Sequence, residues 1–302
     1  MMAETPPLIV ILGPTASGKS ALAMALARRV KGEILSVDSM QVYRGMDIGT
    51  AKPAADEQAE VRHHLIDLVT PTEEFTVARF VELADAVVAD AAARGVPLIA
   101  TGGTPLYYKA LFEGLFDGPG ADATIRQRLS AQGNEALHAS LSRVDPVAAA
   151  RIHLNDHKRL IRALEVFELT GKPISSFQTH WTKPEPRHQA KWIGLDWDKE
   201  TINRRINARC KAMLAAGWVD EVRSLLLAYP ILSKTAAEAT GYRQLVDHVQ
   251  GKVTLEEAGE QIKIATRQLA RRQMKWFRRF PGVRWIRGDA ATDEQLEIVL
   301  QR

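Results

Sequence analysis

Residues 13–20 read Gly13-Pro14-Thr15-Ala16-Ser17-Gly18-Lys19-Ser20, a G-x-x-x-x-G-K-[ST] signature, and no other run limits so strongly what the chain can fold into. Five apolar residues, Leu8 to Leu12, precede it, and a helical alternation with Ala, Leu and Met on one face follows from Ser20 to Val30. Strand, glycine-bearing loop and helix in that order form the setting in which such a signature cradles an anion. The glycines let successive backbone N–H groups turn toward one point and the helix N-terminus adds partial positive charge. Lys19 can then neutralise phosphate oxygens, and the Ser20 hydroxyl can ligate Mg2+. The ligand this implies is a diphosphate, its owner still unnamed.

Two further strand ends belong to the same pattern. Ile34 to Val37 reads as a short buried strand that delivers Asp38, followed by Ser39, Met40 and Gln41. A carboxylate there can bind metal or accept a proton, although capping of the next turn is the plainer role. Pro97 to Ala100 reads as another strand, and Thr101-Gly102-Gly103-Thr104 turns from it into a helix over Pro105 to Phe112. His64 to Leu68 reads as a strand and Phe75 to Arg94 as a long helix. Alternating strands and helices predict a parallel sheet, in which ligands gather at the carboxyl ends of the strands.

After Gly114 the pattern changes. Leu115 to Gly120 is rich in Gly, Asp and Pro, and helical periodicity without a strand runs from Ala121 to about Thr170. Pro184 and Pro186 mark the exit, and Trp192 to Trp197 reads as a strand returning to the sheet. Long helices are expected over 199–216, 218–228 and 254–279. This organisation predicts a catalytic core of 1–116 with 190–302, and an inserted all-helical subdomain over 117–189.

Charge divides along the same line. Of 302 residues with net charge +4, the first 116 carry −4 and the remainder +8. From Gln261 to Gly288 there are nine Lys and Arg and no acid, and Lys263, Arg267, Arg271, Lys275 and Arg279 recur every four residues. One helical stripe of cations can track a phosphate backbone, while Trp276 and Phe277 are expected to pack inward. Cys210 is the single cysteine, which excludes an intrachain disulfide and a multi-cysteine zinc module and suits a reducing cytoplasm. The longest apolar runs fall far short of the roughly 20 residues of a membrane span, so a chain that neither enters a membrane nor is exported is expected.

Taken together, GPTASGKS at 13–20, DSMQVYRGMDIGTAKP at 38–53, HHLID at 63–67 and TGGTPLYYKAL at 101–111 resemble the tRNA dimethylallyltransferases, also called tRNA isopentenyltransferases. The resemblance continues through DHKRLIRALEV at 156–166, DEVRSLL at 220–226, TGYRQ at 240–244 and TRQLARRQMKWFRR at 266–279. It implies an α/β fold with a P-loop NTPase-like parallel sheet flanked by helices. It also implies transfer of a dimethylallyl group from dimethylallyl diphosphate to N6 of adenosine 37 in tRNAs that read codons beginning with U. With no room for a zinc finger of several cysteines, the chain is similar to the shorter bacterial-type enzymes.

On that resemblance the loop at 13–20 would hold a leaving group, with Mg2+ on Ser20, and Asp38 would act as general base or N6-orienting group. Thr104 would touch substrate at the reaction centre and Arg223 would help clamp the diphosphate. Arg126 and the run Lys158, Arg159, Leu160, Ile161 and Arg162 match positions that contact tRNA in the family, and Asp38, Ser39, Met40, Gln41 and Thr104 together with Arg271, Arg272, Lys275 and Arg278 of the basic helix are expected to contact it as well. Adenosine 37 must leave its stack to reach a sheet edge, so Gln41 and Arg243 are expected to read the bases around it. The expected partner is a tRNA anticodon stem-loop and the expected state a monomer. Three rivals stay open: a small-molecule kinase, transfer to free AMP, ADP or ATP, and a non-catalytic RNA-binding module.

Overall fold

The computed structural model describes residues 8–114, 118–177 and 186–301. Its first strand, β1 (Leu8–Leu12), is buried at all five positions. Aliphatic side chains without polar alternation suit a strand paired on both edges and covered on both faces, the environment of a parallel sheet. The chain continues as α1 (Lys19–Val30), β2 (Glu33–Ser36), α2 (Ala55–Glu60), β3 (His63–His64), α3 (Val77–Arg94), β4 (Leu98–Thr101) and α4 (Pro105–Glu113). Next come α5 (Ala123–Ser130), α6 (Asn134–Val144), α7 (Pro146–Ala149), α8 (His157–Thr170) and α9 (Ile174–Phe177), and then β5 (Lys191–Asp196). The last elements are α10 (Lys199–Ala215), α11 (Trp218–Ala228), α12 (Lys234–Ala237), α13 (Tyr242–Val249), α14 (Leu255–Phe277), β6 (Arg284–Arg287) and α15 (Thr292–Leu300).

The strands form one parallel sheet in the order β3-β2-β4-β1-β5-β6. Register brings three carboxyl ends level, because Thr101 lies opposite both Ile11 of β1 and Ser36 of β2. The loops that follow, carrying Gly13, Asp38 and Gly103, therefore leave the sheet side by side. Ile9, Ile11, Ile99 and Ile193 pack on one face against Leu22 and Leu26 of α1 and Val299 of α15. The result is the α/β fold expected, with the phosphate loop between β1 and α1.

Two differences from expectation have local causes. His64 to Leu68 does not continue as a strand: only His63 and His64 pair with β2, and the left-handed φ values of Leu65 (62°) and Asp67 (53°) end the ladder. Arg284 to Arg287 was not expected as a strand, yet it adds to the free edge of β5.

Packing divides the chain into two compact units, Met1–Leu111 with His188–Arg302, and Phe112–Arg187. The second unit starts a few residues before the expected 117 and ends just after Pro186; Pro184 lies outside the described residues. It has a core of its own, built from Leu129, Leu137, Leu141, Leu160, Leu164 and Ile174. Among the described residues no helix is long and apolar enough to cross a membrane.

Candidate active site

The loops leaving β1, β2 and β4 line one cavity of about 290 Å³ within the first unit. The phosphate loop curls through left-handed residues at Ala16 (φ 66°) and Gly18 (φ 92°). Its carbonyls are engaged by the surroundings: Trp197 Nε1–H donates to Ser17 O at 2.9 Å, Arg205 Nε–H to Ala16 O at 2.8 Å, and Ser17 N–H to Pro14 O at 3.1 Å. No side chain caps the N-terminus of α1. Its first N–H groups are the kind a helix leaves for an anion.

Two cations stand at this pole. Lys19 has its pKa lowered to about 8, first by burial and then by Arg209, with Asp38 opposing. Arg209, on α10, donates from Nη2 to Thr15 Oγ1, and burial depresses its pKa also. Its Nε and the Ser17 hydroxyl are buried with no hydrogen-bond partner among the described residues. Half-buried cations and idle donors form a pole that a diphosphate, with its charge and acceptor oxygens, has the chemistry to complete. Ser20, exposed on the first turn of α1, lines the same cavity. No group of three or more His, Cys, Asp or Glu among the described residues could hold a metal by itself. A Mg2+ that keeps several waters and takes the Ser20 hydroxyl and substrate oxygens fits such a donor set.

Opposite ends of one network hold Asp38. Its Oδ1 accepts from Met40 N at 2.9 Å and its Oδ2 from Gly103 N at 3.1 Å. Thr104 Oγ1 accepts from Ser39 N at 2.9 Å and donates to Ser39 Oγ at 3.1 Å, so this hydroxyl stitches the loop after β4 to the loop after β2. The two loops approach so closely that a Cβ at Gly102 would fall 2.1 Å from Val37 O, which only glycine avoids. Gln41, expected to read bases, uses its amide internally: Oε1 accepts from Ser36 Oγ at 2.8 Å, and Nε2 donates to Thr50 O at 3.3 Å and Ala51 O at 3.1 Å. Met24, Ile34, Met213, Trp218 and Leu269 give the cavity an apolar wall.

Arg223 stands outside this arrangement. It is exposed and paired at 2.8 Å with Asp220 of its own helix, and it does not line the cavity. Arg209 occupies the place expected for it at the phosphate loop. Residues two apart on a helix face nearly opposite ways, and Glu221 of the same helix turns toward the loop at 47–49. Its carboxylate accepts from the N–H groups of Asp47 (3.0 Å), Ile48 (2.6 Å) and Gly49 (3.4 Å) and from the Tyr242 hydroxyl (2.6 Å). Burial and this carboxylate raise the Tyr242 pKa.

The residues expected to meet RNA divide similarly. Leu160 and Ile161 are corrected: α8 turns them into the core of the second unit, at 0% and 7% exposure. Arg126 and Arg162 converge on Glu165, which also accepts from Asp122 N at 2.8 Å. Burial alone would raise the Glu165 pKa, but these donors outweigh it and hold it down. Lys158 and Arg159 are exposed on the first turn of α8. Arg243 is exposed on α13, and Arg271, Arg272 and Lys275 are exposed on α14. Arg278, also exposed, pairs with Asp196 at 2.8 Å beside the Trp285 ring. The inward face of α14 brings in Gln273, absent from the sequence reading, whose amide reaches Thr15 and Gly103.

The family model described as IPP transferase matches residues 41–280. The tRNA dimethylallyltransferase of Geobacter metallireducens is 49% identical over 299 residues, 97% of this chain and 96% of that protein. That of Symbiobacterium thermophilum is 49% identical over 285 residues, 93% of this chain and 89% of that one. Among solved structures, the tRNA isopentenylpyrophosphate transferase of Bacillus halodurans is 40% identical with a TM-score of 0.72, covering 97% of this chain and 94% of that one. A eukaryotic dimethylallyltransferase acting on tRNA is 27% identical with a TM-score of 0.79, covering 94% of this chain and 74% of that one. With relatives matched almost end to end and a family model spanning most of its length, the chain belongs to the IPP transferase family.

Proposed function

We propose that the cavity transfers a dimethylallyl group from dimethylallyl diphosphate to N6 of adenosine 37 in tRNA, the activity of a tRNA dimethylallyltransferase. The observation that carries the mechanism is the shared cavity: a cationic phosphate pole and a backbone-held carboxylate open onto the same space. The diphosphate sits against the phosphate loop, with Lys19 and Arg209 on its oxygens. As the C1–O bond breaks, these donors take up the charge that develops on the leaving oxygen. The N6–C1 bond forms, and the N6 proton passes to Asp38, leaving diphosphate and N6-dimethylallyl adenosine. Ser20 would hold a Mg2+, which when bound would supply additional charge neutralisation for the leaving group. The apolar wall formed by Met24, Ile34, Met213, Trp218 and Leu269 suits the hydrocarbon of the donor.

The residues that meet RNA are, on the second unit, Lys158 and Arg159 with Arg126 and Arg162, which pair with Glu165, and, on the first unit, Arg271, Arg272, Lys275 and Arg278 of α14. Asp38, Ser39, Met40 and Thr104 receive the extruded adenine, and Arg243 and Gln41 act beside it, Gln41 after exchanging its contacts to the 50–51 backbone. The enzyme works as a monomer on tRNAs that read codons beginning with U. Incubation with Mg2+, dimethylallyl diphosphate and an unmodified anticodon stem-loop bearing adenosines at 36, 37 and 38, read by nucleoside mass spectrometry, tests the proposal. Prenylation of position 37 is expected. Prenylated AMP with untouched RNA, or ATP-dependent phosphorylation of a small molecule, would replace it with one of the rival readings.

A further inference from the structure

Helix α14 buries Ala258, Ile262, Thr266, Ala270, Gln273 and Phe277, a largely apolar stripe whose one amide, Gln273, is 3% exposed. A buried amide needs both its donor and its acceptor satisfied, and here the partners decide its orientation. Thr15 N–H can only donate, so the atom 2.8 Å from it is Oε1. The Gly103 carbonyl can only accept, so the atom 2.7 Å from it is Nε2. From the other side of its Cα, Gly103 donates its N–H to Asp38 Oδ2 at 3.1 Å. A chain of hydrogen bonds therefore runs from the phosphate loop through Gln273 and Gly103 to the carboxylate. The space around Gly103 is fully used, since a Cβ there would lie 2.9 Å from Gln273 Nε2 and 3.0 Å from Asp38 Oδ2.

We propose that Gln273 is a positioning residue that sets the separation between the bound diphosphate and Asp38 by bracing Thr15 of the phosphate loop against the Gly103 turn. The inference rests on the proposed role of Asp38 as the group that takes the N6 proton. Thr15 and Gly103 lie in loops that leave different strands, and the hydrogen bonds of Gln273 span 258 and 170 residues of sequence. One side chain thus ties the leaving-group pole to the base pole, and transfer requires C1 and N6 to meet at a defined distance. Gln273 touches neither reacting atom in this scheme; its effect passes through Thr15 and through Gly103 to Asp38.

Two near-isosteric variants test it. Gln273→Met removes both bonds. Gln273→Glu keeps an acceptor for Thr15 N–H but sets a carboxylate against the Gly103 carbonyl and Asp38. For each, the kcat and KM of prenylation are measured, together with the Kd of inorganic diphosphate by calorimetry and the folded fraction by circular dichroism. Both variants are expected to lose about 10- to 100-fold in kcat, the scale of a misplacement of about 1 Å, with KM for the stem-loop within about threefold of wild type in both and Kd for diphosphate within about threefold in the uncharged Gln273→Met. A kcat within threefold of wild type in Gln273→Glu overturns the proposal, as does a loss that appears only as weaker diphosphate binding. If Gln273→Met is unfolded, Gln273→Glu decides. Wild-type protein that makes no product would refute the proposed function instead, so the two failures are distinguishable.

Discussion

Arg209 and Gln273 each occupy a position that helical phase would give to a hydrophobe. On α10 the buried residues are Ile202, Ile206 and Cys210, and Arg209 adjoins the last of them. On α14 Gln273 falls between Ala270 and Phe277. That signal was present in the sequence: a polar residue in the apolar phase must find a buried partner, and here both partners include the phosphate loop. Arg223 is a cation in a matching motif, but its helix face turns it to solvent beside Asp220. Replacing Arg209 by Ala is expected to lower kcat/KM for dimethylallyl diphosphate about 100-fold, the scale of one lost charge-stabilising donor in a desolvated site, while Arg223→Ala stays within about threefold in the same steady-state assay. Lys19 adds a pH test. With its pKa lowered to about 8 by burial and by Arg209, the free enzyme sheds this proton above that pH, whereas bound diphosphate favours the cation. Binding of dimethylallyl diphosphate, followed by calorimetry from pH 7.5 to 9.5, should weaken as pH rises and take up a proton. Lys19→Arg, still charged throughout, should abolish the uptake; an identical uptake in that variant would contradict the assignment.

Elements were legible where their pattern was strong. Leu8 to Leu12 form a strand over the residues read from the sequence, since a run of aliphatic side chains has no alternative use in a parallel sheet. The short edge strands were not. Two residues of β3 pair, and β6 carries Arg284 and Arg287 on exposed positions with Ile286 as its buried anchor. Charged, short strands protect sheet edges and also hide them from periodicity. Helix α11 supplies a stability test. Glu221 collects three backbone N–H groups of the loop at 47–49 and the Tyr242 hydroxyl, so Glu221→Ala should cost roughly 1.5–3 kcal/mol, the range for hydrogen bonds to a charged group. Chemical denaturation of Glu221→Ala beside Arg223→Ala checks this, and equal stabilities would refute it. At the other end of the sheet, Glu33 is held down to about pKa 2 chiefly by Arg94, with His64 assisting against the effect of burial. A depressed carboxylate stabilises the fold above its unfolded pKa and loses that contribution as pH falls toward its folded value. Because Arg94 is partly exposed, the contribution lost between about pH 4.5 and 2 should be on the order of 1 kcal/mol, and Glu33→Gln should lose it at neutral pH.

Across the whole molecule, the −4 and +8 halves separate the residues of β1 to α4 from those of the insert and the basic C-terminal elements. RNA affinity should therefore fall linearly in log–log fashion with salt, and Arg271→Ala or Lys275→Ala should each lower the slope by roughly 1 if that side chain meets a phosphate. Filter binding with a stem-loop measures the slopes, and an unchanged slope in both variants would remove α14 from the RNA surface. The loop signature and the strand-end turns located residues 13–20, Asp38 and Thr104, and the family resemblance gave them roles, but neither could show that Leu160 and Ile161 face a core or that Gln41 is engaged with the 50–51 backbone. Those depend on packing, which a linear motif does not carry. The central claim is that a carboxylate beside a diphosphate pole takes the N6 proton. Rapid-quench single turnover with both substrates saturating, comparing wild type with Asp38→Asn, tests it most directly. Bond formation in Asp38→Asn is expected to slow about 100- to 10,000-fold, the range for a lost general base, with dimethylallyl diphosphate bound within threefold of wild-type affinity. An Asp38→Asn enzyme that forms the N6–C1 bond at the wild-type rate would contradict it.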